Sequence, residues 1–172
     1  TVAVGYSALA ALTSGAGNVA IGYQALSAHT TGTYSLAIGS GVLQHSVDGA
    51  YNIGIGHGAM SDWDAGTTVD GSNQNVMIGV NAGGGAWTNV QSNFNVGIGN
   101  YVMDAVMDGA LNNTAVGYSA LSALTTGDGN VAIGYEAGND VSTGNSNVLI
   151  GAYSGDKITT SELIVAIGYQ AL

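Results

Sequence analysis

The side chains best suited to contact a ligand are concentrated between residues 61 and 94. Both tryptophans and the only phenylalanine of the chain lie here, at Trp63, Trp87 and Phe94. The same stretch holds three aspartates, Asp62, Asp64 and Asp70. Aromatic faces stack on sugar rings, and nearby carboxylates accept hydrogen bonds from sugar hydroxyls. The stretch therefore predicts a contact site for a glycan or receptor. The alternative is that these aromatics fold back and cover the protein's own surface.

Other side chains give weaker indications of chemistry. Asp62 and Asp64 could ligate calcium, and Asp104 with Asp108 could act as acid and base on a polysaccharide. However, the Asp-rich, glycine-bearing nonapeptide of calcium-binding β-rolls is absent, and the three histidines occupy unrelated positions. We therefore expect no catalytic residues, no metal site and no cofactor.

Composition restricts the class of protein and its partners. Of 172 residues, 29 are glycine, 46% are hydrophobic and none is proline or cysteine, which is typical of a folded chain with many tight turns. The chain has eleven acidic residues and one basic residue, Lys157, which gives a net charge of −10. This charge disfavours nucleic acid and anionic membrane surfaces. No apolar run reaches the roughly 20 residues that span a bilayer, so we expect no membrane insertion.

A 17-residue repeat runs through the chain. The motif Asn-Val-Ala-Ile-Gly-Tyr-Gln-Ala-Leu at residues 18–26 recurs ten times, and the spacings between its glycines are 17, 17, 17, 23, 20, 18, 17, 17 and 17. These corner glycines are Gly5, Gly22, Gly39, Gly56, Gly79, Gly99, Gly117, Gly134, Gly151 and Gly168. The longer spacings predict insertions at about 61–74 and 84–94. We expect a single repeat domain over residues 1–172 that continues, at both ends, into further repeats or flanking domains.

Each repeat predicts a short strand directly before its corner glycine. The residue before the glycine is Val or Ile in all ten repeats, the residue two positions earlier is aliphatic in nine, and the residue between them is Ala or Gly in eight. Alternation with period 2 is typical of a strand. We expect the Val and Ile side chains, such as those of Ile21, Ile133 and Ile150, to point into the coil. The Ala/Gly column is then expected to face a neighbouring copy.

Asparagine stands four residues before the corner glycine in seven repeats, among them those of Asn18 and Asn130. Asparagine suits a turn, and stacked asparagines can form a hydrogen-bonded ladder. A second short strand is expected after the corner, through Tyr-x-Ala-Leu. Stacked repeats of this kind predict an all-β, parallel β-solenoid of about ten 17-residue coils, with a rise of about 4.8 Å per coil.

The run Asn-x-Ala-Ile/Val-Gly-Tyr-x-Ala-Leu resembles the head repeats of trimeric autotransporter adhesins. It is still more similar to the Gly-Tyr-x-Ala-Leu variant found in bacteriophage tail-fibre proteins. The resemblance covers essentially the whole chain. It implies a left-handed β-roll, three chains winding about one axis, and a role in attachment or in spacing an attachment tip.

The expected function is therefore structural and adhesive rather than enzymatic. We expect an extracellular segment of a phage or virion fibre, a homotrimer that spaces or displays a host-binding site. A bacterial trimeric surface adhesin head is the alternative, and a polysaccharide-cleaving tailspike is a third and less favoured one. Self-association is also favoured because a single thin coil buries little apolar surface relative to the chain entropy lost on ordering it.

Overall fold

The structure is a computed structural model that describes residues 1–62, 71–87 and 90–172. The candidate residues Trp63, Asp64 and Asp70 lie outside this set. Ten three-residue strands follow one another along the chain: β1 (Val2–Val4), β2 (Val19–Ile21), β3 (Leu36–Ile38), β4 (Ile53–Ile55), β5 (Val76–Ile78), β6 (Val96–Ile98), β7 (Thr114–Val116), β8 (Val131–Ile133), β9 (Val148–Ile150) and β10 (Val165–Ile167). They form one parallel sheet in chain order. The predicted strand positions and the parallel β-solenoid are confirmed.

The insertions leave the register of this sheet unchanged. Strand β4 pairs with β5 so that Gly54 lies beside Met77, although the corner glycines of these coils, Gly56 and Gly79, have the longest spacing in the chain. Ala3 lies beside Ala20 in the same way across an ordinary repeat. Extra residues are therefore accommodated between strands, and every strand keeps its place in the stack.

The direction in which the strand side chains point is opposite to our expectation. The middle residues of β2 and β8, Ala20 and Ala132, are fully buried. Ile21 and Ile133, which we expected inside the coil, are 39% and 41% exposed, and Ile150 is partly exposed. The small column therefore lines the core of the solenoid, and the Val and Ile columns form its outer surface.

The opposite wall of each coil explains this arrangement, because it supplies the large core side chains. Consecutive residues of this wall, such as Ala25 and Leu26, are both fully buried. An extended strand would point them to opposite faces, but Leu26 has a left-handed backbone with φ of 51°, which allows both to face inward. A Cβ on Gly54 of β4 would lie 2.6 Å from Val42 Cγ1. The wall thus reaches the inner face of the sheet and leaves room there mainly for small residues.

The predicted second strand is also wrong. The segment after the corner glycine forms a turn in every coil, and each described coil contains one strand. Left-handed residues stand two and four positions after the glycine, as at Gln24 (φ 55°) and Leu26 (φ 51°). A third stands five positions before it, as at Tyr34 (φ 56°). Repeated left-handed positions turn the backbone, so the coil closes within a single repeat.

The corner glycines stack directly on one another. Their φ angles lie between 125° and 144°, a region that only glycine occupies readily. A Cβ on Gly22 would lie 2.2 Å from the carbonyl oxygen of Gly39 in the next coil. Glycine is therefore required at this corner both by the backbone conformation and by the closeness of the neighbouring coil.

The expected asparagine ladder is confirmed. The backbone N–H of each of Asn75, Asn95, Asn113, Asn130 and Asn147 donates to the side-chain oxygen of the asparagine in the preceding coil. The side-chain amides donate to the same oxygens and to backbone carbonyls, such as that of Gly144, 2.8 Å from Asn130 Nδ2. These side chains are fully buried. The ladder satisfies polar groups that would otherwise be costly to bury.

Candidate functional site

The outer face of the sheet is the most extensive candidate surface of the molecule. We call the first and third residues of the ten strands the outer ribbon. Nineteen of these twenty residues are Val, Ile or Leu, and the exception is Thr114. Their side chains point away from the core, and Ile21, Ile98 and Ile133 are 39%, 40% and 41% exposed. The outer ribbon is thus a continuous apolar strip without an ionisable residue.

The outer ribbon is an extended apolar surface. Nine steps of about 4.8 Å and a width of about 10 Å give an area on the order of 400 Å². This area is similar to that of the largest apolar patch on a typical monomeric protein, and such patches are often functional. The aliphatic composition of the outer ribbon over the whole length of the sheet, more than its area, makes it a candidate protein interface.

Aromatic residues extend this surface on both sides. On the side of the corner glycines, Tyr6 and Tyr23 stack with ring centroids 5.4 Å apart, and Tyr118 and Tyr135 stack at 5.2 Å. Edge-on contacts continue this ladder through Tyr101, Tyr153 and Tyr169. Tyr6 and Tyr23 thus form one stack on this side, and the rings from Tyr101 to Tyr169 form another. On the other side, Tyr34 and Tyr51 stack at 5.4 Å, and Phe94 is 51% exposed.

Charge does not oppose burial of this face. The single basic side chain, Lys157, lies 3.3 Å from Asp156 Oδ2 and away from the outer ribbon. A hydrogen bond with Glu136 raises the pKa of Tyr135 to about 12, although a phenol is neutral at physiological pH even at its ordinary pKa of about 10. Covering the outer ribbon would therefore remove apolar surface from water without desolvating a charged residue of the ribbon itself.

The predicted glycan-contact residues are not gathered into one site among the described residues. Trp87 is buried, with 2% of its surface exposed, and a Cβ on Gly83 would lie 3.1 Å from its ring. Phe94 is exposed at the edge of the outer ribbon. Asp62 is exposed and lies 3.3 Å from Nδ1 of His45. The position of Trp87 favours the alternative that insertion aromatics cover the protein's own core.

Asp104 and Asp108, the expected acid and base alternative, have different surroundings. Asp108 Oδ1 accepts a hydrogen bond from the backbone N–H of Val90 at 2.9 Å, so this side chain links neighbouring coils. Burial raises the pKa of Asp104. Within the described ranges, no three His, Cys, Asp or Glu side chains lie close enough together to hold a metal ion.

One imidazole interrupts the apolar core. His29 is fully buried, in the core column that holds Leu12 and Leu124 in other coils. Its Nδ1 lies 3.3 Å from the carbonyl oxygen of Ser46. Its Nε2 and the hydroxyl of Ser46 have no hydrogen-bond partner among the described residues. Burial lowers the pKa of His29, and the carbonyls of Ser46 and Gly32 and the charge of Asp48 only partly oppose this effect.

Acidification is therefore expected to destabilise the protein through His29. A base with a lowered folded-state pKa binds fewer protons when folded than when unfolded, so its stabilising contribution is present above the unfolded pKa of about 6.5 and is lost below it. The slope reaches at most about 1.4 kcal/mol per pH unit for one proton. Urea unfolding followed by circular dichroism at pH 7.5, 6.5 and 5.5 would measure the loss. His29→Leu should flatten this profile.

The exposed His57 provides the matched control, because His57→Gln removes an imidazole from the surface and leaves the apolar core unchanged. Carboxylates shared by all three proteins also titrate at low pH, so the informative quantity is the difference between the His29→Leu profile and the other two. An unchanged profile in His29→Leu would show that this imidazole does not set the acid sensitivity.

A second hydrogen-bonded column escaped sequence reasoning. Six residues before the corner glycine, side-chain oxygens accept backbone N–H groups from the preceding coil. The accepting residues are Asn73, Asn93, Asp128 and Asn145. The signal was present as a recurrence of Asn and Asp at one repeat position.

Sequence reasoning also missed two core positions of the repeat at which a large residue in one accompanies a glycine in the other. Where the middle strand residue is large, as at Met77 and Leu149, the residue four after the corner glycine is glycine instead of Leu or Met. These are Gly83 and Gly155, and added Cβ atoms there would lie 3.1 Å from Met77 Cγ and 2.7 Å from Leu149 Cδ2. Comparing these two repeat positions with each other would have indicated that they face each other across the core.

Comparisons with protein families, curated proteins and solved structures found no match to this chain. Among the described residues, no helix is long and apolar enough to cross a membrane.

Proposed function

We propose that this chain is a rod-forming segment of an extracellular homotrimeric fibre, which spaces or displays a host-binding site on a virion. The outer ribbon is the observation that carries this proposal. It runs the full length of the sheet, is almost purely aliphatic and has no covering element within the described chain. A second and a third copy can cover it, and each copy then also shields part of its neighbours.

The solenoid supports a mechanical rather than a chemical role. Each coil contacts the next through backbone hydrogen bonds, stacked glycines and the asparagine ladder, which favours a straight, stiff rod. The sequence motif supports the number of copies, through its resemblance to trimeric adhesin heads and phage tail fibres. Phe94 and Asp62 belong to the insertions and are exposed, so they are the predicted contact residues that a glycan or receptor could reach in the described part of the chain.

Charge introduced into the outer ribbon is expected to separate the copies. We expect the unmodified chain to have the mass of three copies by size-exclusion chromatography with light scattering. Replacing Ile98 and Ile133 by Glu should yield single copies at the same concentration, because carboxylates would be buried without partners at the interface. Circular dichroism would show whether the strand content is retained.

The control carries the same two added charges on another face. Thr126 and Thr160 are exposed on turns remote from the outer ribbon in the repeat, so Thr126→Glu with Thr160→Glu should leave the mass unchanged. A single-copy mass for the unmodified chain, or an unchanged mass for the Ile98→Glu, Ile133→Glu variant, would overturn the proposal.

A further inference from the structure

Five tyrosine rings follow one another along the surface of the last five coils. We call them the tyrosine stack: Tyr101, Tyr118, Tyr135, Tyr153 and Tyr169. The centroids of neighbouring rings lie 5.2 to 6.1 Å apart. None of the five side chains is buried within the chain, so their phenol groups are open to a reagent from solution.

One pair in the tyrosine stack is arranged face to face. Tyr118 and Tyr135 have an interplanar angle of 9°, whereas the other three contacts of the stack have angles between 61° and 87°. Both residues directly follow a corner glycine, so their side chains leave the backbone in the same direction. Their hydroxyl groups, and the ring carbons ortho to them, are therefore neighbours. Tyr153 stands one position later in its repeat and meets Tyr135 edge-on.

Tyr135 also has a proton acceptor bound to its hydroxyl. The carboxylate of Glu136 accepts a hydrogen bond from this phenol. Of the six tyrosines that form parallel pairs in the described part of the chain, only Tyr135 is followed by an acidic residue. A phenol loses its proton readily once an electron has been removed from it, and a hydrogen-bonded carboxylate is already placed to accept that proton.

We propose that Tyr118 and Tyr135 form a site of oxidative cross-linking, at which an external one-electron oxidant, such as peroxide-activated haem, joins their rings as dityrosine. Each phenol gives one electron to the oxidant and one proton to a base, which is Glu136 for Tyr135 and water for Tyr118. The two radicals form a bond between their ortho carbons, and the two ortho hydrogens then pass as protons to the phenol oxygens. Hydrogen peroxide takes up two electrons and two protons in total and becomes two molecules of water.

Such a cross-link would tie neighbouring coils of one rod together. The two tyrosines are 17 residues apart, so the bond closes a loop of that length and restricts the unfolded chain as a disulfide would. A chain without cysteine thereby acquires a covalent link between coils. Because both rings belong to the same copy, the inference does not depend on the proposed self-association.

Peptide mapping after treatment with hydrogen peroxide and a haem peroxidase tests the proposal on the full chain. Once the oxidised protein is unfolded, cleavage after acidic residues places Tyr118 in residues 109–128 and Tyr135 in residues 129–136. We expect the most abundant cross-linked species to have the summed mass of these two peptides less two hydrogen atoms. On a denaturing gel the protein should keep the position of a single chain.

Conservative variants identify the reacting groups. Tyr118→Phe and Tyr135→Phe keep a ring in the stack but remove a phenol, so each should abolish this linked pair. Tyr34→Phe is the matched control, because it changes a parallel pair without a carboxylate and should leave the linked pair unchanged. Linkage mainly between other tyrosines, a link that joins two chains, or no dityrosine at all would overturn the proposal.

Glu136→Gln tests the proton acceptor separately. The amide has a similar size but is a much weaker base, so dityrosine fluorescence should develop more slowly, on the order of tenfold. This effect is smaller than the 10²- to 10⁴-fold typical of a general base in an enzyme, because water also accepts protons at an exposed site. The linked peptide of this variant extends to Asp140. An unchanged rate would overturn the role assigned to Glu136.

Discussion

Alanine in place of Gly117 is expected to destabilise the protein by about 4 kcal/mol or more. Gly117 has φ of 138°, and an added Cβ would lie 2.2 Å from the carbonyl oxygen of Gly134 in the next coil. The methyl group would therefore force the two coils apart at a point where the backbone N–H of Gly134 donates to the Val116 carbonyl at 2.8 Å. Urea unfolding followed by circular dichroism, at one fixed protein concentration, measures the change.

Gly129→Ala separates backbone conformation from close contact. Gly129 has φ of 67°, and the nearest atom to an added Cβ is Ser146 Oγ at 3.7 Å. Only the left-handed backbone then opposes alanine, which costs roughly 1 to 2 kcal/mol. Similar losses of stability in Gly117→Ala and Gly129→Ala would contradict the importance of the stacked glycine corners.

Leucine in place of Asn130 is expected to lower the free energy of unfolding by about 3 to 5 kcal/mol. Asn130 Oδ1 accepts from the backbone N–H and the side-chain amide of Asn147, both at 3.0 Å. Its Nδ2 donates to Asn113 Oδ1 at 3.1 Å and to the Gly144 carbonyl at 2.8 Å. Leucine has nearly the same shape but leaves these buried partners unsatisfied. The same urea titration measures the effect.

The coil of Gly39 supplies a natural comparison for this substitution. Ser35 occupies the ladder position there, and its hydroxyl receives the backbone N–H of Asn52 at 3.3 Å. Asn130→Ser should therefore lose less stability than Asn130→Leu. The partly exposed Asn145→Ala serves as the surface control, with a loss near about 1 kcal/mol. If Asn130→Leu proved no more harmful than Asn145→Ala, the buried ladder would not be a principal source of stability.

The sequence predicted the features that repeat along the axis. Equal spacing of glycine and asparagine identified the strands, the stacked corner and the ladder, because identical residues at one repeat position must become neighbours in a solenoid. It did not indicate which face of each strand is inside. A large-small-large pattern has period 2 whether Ile21 or Ala20 points inward, and the choice depends on how far Leu26 and its equivalents reach across the coil.

The candidate surface was predicted only in part for the same reason. The flat strip suited to another copy was expected on the Ala/Gly column, whereas the exposed strip is the aliphatic outer ribbon. Trp87 stood out as a rare aromatic in an insertion, but rarity does not distinguish a surface contact from a core residue. Its burial depends on the space beside Gly83 and Met77, which becomes apparent only when the coil is closed.

Because the strand register is constant across the insertions, the arrangement of the strands does not depend on the length of the segment between them. Strands β4 and β5 pair residue for residue across the longest repeat of the chain, as do β1 and β2 across an ordinary one. Peptides of different length and sequence can therefore be exchanged between two strands while the rest of the rod remains the same. Segments of foreign sequence inserted between strands would then be attached at multiples of the coil rise, whatever their length.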